Sequence, residues 1–163
     1  MTKAPARNVD PNTTFQFHQD HTIPTGDWIF VFGANLAGRH GKGAAKVART
    51  NFRAEYGVGR GPTGMAYAIP TKGKHLEVLA FEEIERSIGD FLQYARIHTE
   101  LNFFVTRVGC GEAGFLDDQV GPLFARAPGN CSLPYEWKQY VAQARVQERA
   151  QMAQDQARVF ERA

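Results

Sequence analysis

Two stretches of the sequence place small residues where backbone amides can meet a ligand. In one, Ile29-Phe30-Val31-Phe32-Gly33-Ala34-Asn35 runs into Gly38-Arg39-His40-Gly41-Lys42-Gly43. In the other, Phe103-Phe104-Val105-Thr106-Arg107-Val108 ends in Gly109-Cys110-Gly111-Glu112-Ala113-Gly114-Phe115, and Leu116-Asp117-Asp118 then opens a helix-like segment. A buried strand that stops in a glycine-rich loop before a helix leaves unpaired N–H groups converging on one spot. Phosphate oxygens fill such spots well. Two such junctions in a short chain predict a ligand with two phosphates, or with a phosphate and a ribose.

The elements needed to hold these loops can be read along the chain. Residues 1–13 read as a flexible arm, residues 14–136 as the ligand-binding domain and residues 137–163 as a helical extension. Thr14 to His18 alternates and suits a short edge strand, and Ile23-Pro24-Thr25-Gly26 reads as a turn. Trp28 to Phe32 is continuous and apolar, the pattern of a strand buried on both faces. Lys42 to Tyr56 places Ala44, Val47, Ala48 and Phe52 on one helical face, with Gly57 to close it. Residues 57–64 read as a loop, and Met65 to Pro70 as a second strand. Phe81, Ile84, Ile88, Phe91, Leu92 and Ala95 mark the clearest helix. Leu101 to Val108 is a third strand and Asp117 to Ala125 a short helix, its acidic start suited to the helix dipole. Asn130 to Leu133 adds a last strand. Strands alternating with helices over connections too long for hairpins predict an α/β fold. The sheet is mainly parallel and lies in the middle of three α/β/α layers. Ligands of such sheets sit at the carboxyl ends of the strands, where both glycine-rich loops fall.

Trp137 to Ala163 contains neither Gly nor Pro. Val146, Ala150, Ala153, Ala157 and Phe160 form a narrow stripe on a helix longer than the domain needs. Such a helix docks at its start and then projects or pairs; a solvated helix and a homo-oligomer contact are both open.

Composition narrows the function classes. With 43% hydrophobic and 22% charged residues the chain reads as globular rather than disordered. It carries no run long enough for a membrane span and no apolar leader. Its two cysteines, Cys110 and Cys131, have no metal-ligand spacing, and His18, His21, His75 and His98 show none either. No metal and no cofactor are expected, and the expected location is the cytoplasm. The net charge of +2 argues against a chain built to coat nucleic acid as a whole. Its distribution is uneven. Arg39, Lys42, Lys46, Arg49, Arg53, Arg60, Lys72 and Lys74 face only Asp27 and Glu55 between residues 27 and 74, whereas residues 76–136 are mainly acidic. That basic half fits a small polyanion, or else a solvated helix face.

From Asp27 to about Leu123 the chain resembles the macrodomain family of ADP-ribose-binding proteins, and within it the branch of the terminal ADP-ribose–glutamate glycohydrolase. Three motifs carry the resemblance in order. Gly38 to Ala45 is similar to the first glycine-rich loop, with Asn35 near a ribose-facing asparagine. Tyr67-Ala68-Ile69-Pro70-Thr71-Lys72 is similar to a strand ending in a Thr-Lys pair. Arg107-Val108-Gly109-Cys110-Gly111, followed by a helix with Val120, is similar to the diphosphate loop.

The resemblance implies a three-layer macrodomain-like fold that binds ADP-ribose or a related NAD-derived nucleotide. Contacts would come from Asn35, Gly41, Lys42, Gly43 and Ala44 on one side and from residues 109–115 on the other: Gly109, Cys110, Gly111, Glu112, Ala113, Gly114 and Phe115. Phe115 is read as a stack on ribose or adenine, or as packing. His40 is read as a phosphate contact or an exposed loop histidine, and Cys110 as a small buried filler or a nucleophile.

The resemblance also implies catalysis by Lys72 as the nucleophile on the ribose anomeric carbon, with Asn35 and an acidic residue assisting. Lys74 and His75 beside Lys72 are cationic neighbours of the kind that activate a lysine. Ala113 stands where the aspartate of that branch is expected, and Glu112, one residue earlier, is the nearest carboxylate. It would act as general acid or base, or orient a ribose hydroxyl.

Two functional classes follow from the resemblance: a hydrolase of ADP-ribosylated protein or nucleic acid, and a non-catalytic nucleotide sensor or sequestering protein. A nucleic-acid-binding or assembly role through the basic helix face and the tail is a third. The compact chain suits a phage or bacterial accessory protein.

Overall fold

The computed structural model describes residues 16–162. The arm read at residues 1–13 lies outside the described residues, as do Thr14 and Phe15. The elements run β1 (Gln16–His18), β2 (Trp28–Asn35), α1 (Gly43–Asn51), β3 (Gly61–Thr63), β4 (Ala66–Lys72), α2 (Phe81–Ile97), β5 (Asn102–Val105), α3 (Asp117–Val120), β6 (Cys131–Pro134) and α4 (Lys138–Glu161). The strands form one sheet in the order β1-β6-β5-β2-β4-β3. Every neighbouring pair is parallel except the antiparallel β3–β4 pair at one edge.

Side chains of a strand alternate between faces, so a strand covered on both sides must be apolar at every position. β2 meets that requirement from Trp28 to Ala34. Ile29 and Val31 join the core under α2, α4 and the 3₁₀ turn Gly121–Phe124, together with Ile84, Ile88, Phe91 and Trp137. Phe30 and Phe32 enter a second core under α1, with Ala48, Phe52 and Ala68. The chain is therefore an α/β protein of three layers, α/β/α, with a six-stranded, mostly parallel sheet in the middle.

Several boundaries differ from the sequence reading. The helix expected from Lys42 to Tyr56 ends at Asn51. Phe52 turns inward to stack on Phe30 at 4.6 Å, and Arg53 adopts a left-handed φ of 58°, which stops the helix well before Gly57. The segment read as a loop at 57–64 contains β3; its Pro62 is tolerated because β3 is an edge strand. The third strand stops at Val105 rather than Val108, because Thr106 folds its hydroxyl back onto the Val31 carbonyl at 2.7 Å. The helix at 117–125 divides into α3 and the 3₁₀ turn, with Pro122 opening the tighter coil. The first reversal falls at Asp20-His21, before the expected Ile23–Gly26 turn, with His21 at a φ of 61°.

Helix α4 spans 24 residues, about 36 Å at 1.5 Å per residue. Its beginning is docked: Trp137 and Val141 are buried, and the Arg145 Nε donates to the Ala125 carbonyl at 2.7 Å. From Arg149 onward every described residue is exposed, Phe160 to 85%. No helix among the described residues is long and apolar enough to cross a membrane.

Candidate functional site

A cleft of about 770 Å³ opens at the carboxyl ends of the strands, between the loop that follows β2 and the loop that follows β5. Both glycine-rich stretches line it, as the parallel topology requires. Asn35, Gly41, Lys42, Gly43 and Ala44 form one wall, and Gly109, Cys110, Gly111, Glu112 and Ala113 the other. Gly114 and Phe115 fall outside the wall. Phe115 instead packs against Phe81 at 5.6 Å and borders the core, as its packing reading expects.

The first loop is held by unusually close backbone packing. Gly38 has a φ of +68°, and a Cβ on it would lie 2.2 Å from the Gly57 carbonyl carbon; a Cβ on Gly59 would lie 2.2 Å from the Asn35 carbonyl oxygen. Gly59 thus serves the site from beneath, and the backbone at 57–58 leaves position 38 no room for a side chain, roles the sequence reading did not assign. Asn35 closes the same loop: its Nδ2 donates to the Arg39 carbonyl at 2.8 Å, and its Oδ1 accepts from the Arg39 amide at 3.0 Å. Asn35, expected to face ribose or assist catalysis, lines the cleft and with these two bonds also braces the loop. His40 is neither a cleft residue nor exposed. It is 1% exposed, its Nε2 donates to the Val58 carbonyl at 2.9 Å, and its ring meets the edge of Phe32.

Among the described residues no backbone acceptor takes the amides of Gly43 and Ala44, or those of Gly111, Glu112 and Ala113. The first pair begins α1, where the helix dipole adds positive potential. Both sets belong to residues that line the one cleft, an arrangement of the kind that suits an anion.

Lys72, at the end of β4, reaches the same cleft, and its Nζ lies 3.3 Å from the Glu112 Oε2. The carboxylate displaced by one position from the expected aspartate therefore still meets the lysine. Lys72 is mostly covered, at 18% side-chain exposure, while Glu112 is open to solvent at 64%. The partner that Lys72 meets is this carboxylate rather than the cationic Lys74 and His75 of the sequence reading.

Below the second loop lies a network absent from the sequence reading. The Arg107 guanidinium donates to both oxygens of Asp117 at 2.9 and 2.7 Å and, through Nη1, to Asp20 at 3.1 Å. The Trp137 indole donates to the Asp117 Oδ1 at 2.8 Å. Burial by itself would raise the Asp117 carboxyl, but the bonds from Arg107 and Trp137 outweigh it and hold the group below its usual value. Burial, then the Asp117 charge, push the Cys110 thiol up to about 12. A thiol held towards its protonated form is a poor nucleophile, which favours the filler reading of Cys110 over the nucleophile.

The far end of the cleft is aromatic and apolar. The His18 ring stacks on Phe104 at 3.7 Å, and Phe30, Val47 and Ile23 complete the walls. The His18 Nδ1 lies 2.7 Å from the Ser132 hydroxyl. Burial lowers its pKa from 6.5 to about 4 against the opposing influence of the Val105 carbonyl and Asp20. The folded state thus resists a proton that the unfolded chain accepts. The contribution of His18 to stability is complete above pH 6.5 and is lost as the pH falls from about 6.5 to about 4. The stability difference between wild type and His18→Phe should shrink over that window in urea titrations at stepped pH; a difference that stays constant across it would refute the assignment.

No protein-family model and no curated protein sequence matches the chain. Among solved structures it is similar to a protein of unknown function from Bacteroides thetaiotaomicron, with a TM-score of 0.51 at 13% identity over 76% of this chain and 98% of that one. At that identity the likeness is one of fold.

Proposed function

We propose that the protein binds ADP-ribose or a related NAD-derived nucleotide in this cleft and removes ADP-ribosyl groups from a macromolecular adduct. The amides at the start of α1 and in the loop at 111–113 suit the diphosphate, and the aromatic end suits a base. The terminal ribose would then lie beside Lys72. The observation that carries the reading is the Lys72–Glu112 contact at the open edge of an anion site. The ordered macrodomain-like motifs support it.

In this mechanism Lys72 passes a proton to Glu112, and the neutral amine attacks the ribose anomeric carbon. The bond from that carbon to the adduct oxygen breaks, and the leaving group takes the proton held by Glu112. Water then displaces the amine at the same carbon, releasing ADP-ribose and regenerating the lysine. The free thiols of Cys110 and Cys131 suit a reducing compartment such as the cytoplasm.

Calorimetry with ADP-ribose, NAD and ADP tests the binding half. Heat should be seen with ADP-ribose at micromolar to millimolar concentration, and none with any of the three would overturn it. For the chemistry, Lys72→Ala should lower ADP-ribose release from a modified acceptor by at least ~100-fold, within the range of general acid–base effects. Equal rates would sink the nucleophile. The engagement of Asn35 with its own loop and the presence of Ala113 favour a second reading, a sensor that holds the nucleotide without turning it over. Binding without measurable release by the wild type would select it.

A further inference from the structure

The solvent side of α1 carries a run of cations of which Lys42 alone lines the cleft. Lys42, Lys46 and Arg49 recur at steps of four and three, and Arg53 follows four residues on. All four are exposed; Lys46 and Arg49 lie on α1, Lys42 precedes its first residue and Arg53 follows its end. None of them is ion-paired among the described residues. Glu55 is the only acid between residues 39 and 74 in the sequence, so the positive potential here is barely offset.

The stripe has direction. It starts at Lys42, which lines the cleft, and at Arg49 it meets Tyr56, an aromatic ring 58% exposed with the Arg49 guanidinium 5.2 Å from its centroid. A row of cations leading to an open aromatic face is what a single nucleic-acid strand requires. The cations follow the phosphates, and the ring, flanked by a guanidinium, offers a stacking surface for a base. An acidic peptide would use the charges but leave Tyr56 idle.

From this arrangement we infer that the α1 face binds single-stranded nucleic acid and leads the strand to the mouth of the cleft. The surface stands on its own charges and ring. Its service to the cleft, in which the strand carries the group that enters, rests on the proposed function.

Fluorescence anisotropy with labelled twelve-residue oligothymidylate and oligouridylate at 50–200 mM salt is the test, on the full chain with thermal melts as a folding control. Four neutralised phosphates give a slope of log K against log salt near −3, and Lys46→Ala/Arg49→Ala should halve it. Tyr56→Ala should weaken binding about tenfold with the slope unchanged. Equal affinity and slope in the double variant would overturn the surface. So would inorganic polyphosphate competing as well as the oligonucleotides, because charge alone would then suffice. Calorimetry with ADP-ribose on the same preparations separates the two proposals. Oligonucleotide binding without ADP-ribose binding upholds the surface and removes the cleft reading, and the converse removes the surface alone.

Discussion

Replacing Gly111 by valine should abolish measurable nucleotide binding while leaving the fold intact. A Cβ at Gly111 would meet no heavy atom of the protein within 4 Å, and Gly111 lines the cleft. The added methyls would therefore stand in ligand space rather than against the core. Displacing a diphosphate from even one or two charge-assisted amide bonds, at roughly 1.5–3 kcal/mol each, lowers affinity by about 100-fold or more. The melting temperature should move by no more than about 2 °C, as for other open positions. Gly59→Ala supplies the contrast: its Cβ would meet the Asn35 carbonyl oxygen at 2.2 Å, so stability and binding should fall together. Undiminished ADP-ribose affinity in Gly111→Val would move the ligand elsewhere.

Trp137→Ala should lower the melting temperature by about 10 °C. Trp137 is fully buried, stacks on Phe124 at 4.8 Å, and joins the 3₁₀ turn to the start of α4. Removing such a ring from a core costs about 3–5 kcal/mol, and a chain of this size loses roughly 2–4 °C per kcal/mol. Trp137→Phe separates packing from polarity. It keeps most of the ring contact but loses the 2.8 Å bond to Asp117, and should cost about 3 °C. Because Asp117 anchors Arg107 under the second loop, ADP-ribose affinity should drop in that variant as well. A phenylalanine variant indistinguishable from wild type in both measurements would show that the indole bond does not support the loop.

What could be read from the sequence was set by how local the signal is. Strand β2 and helix α2 bury continuous or periodic apolar faces, and both stood out from the order of residues alone. Strand β3 did not, because Gly61 and Pro62 carry a loop signal and only pairing with β4 makes them a strand. The end of α1 was hidden for the same reason: Phe52 leaves the helix to reach Phe30, more than twenty positions earlier. At the site, the two glycine loops and Lys72 were visible as residue types in order. The Lys72–Glu112 contact joins residues 40 positions apart, and Arg107 meets Asp20 across 87, distances over which no spacing rule operates. His40 misled because its neighbours are glycines and cations, whereas its ring lies behind them against Phe32.

The pairing of β1 with β6 fixes an order of assembly. Gln16 lies opposite Ser132, so the first described strand has its partner near the far end of the sheet-forming sequence. A growing chain presents β1 early, yet contacts this distant in sequence form late because closing the long loop costs entropy first. A chain halted before Cys131 would hold β2, β4, β5 and both glycine loops, with no strand for β1 to join. Its amide-lined wall would be drafted while its aromatic end stood open to water. In biosynthesis the two ends of the cleft would thus be completed in order, the glycine-loop end first.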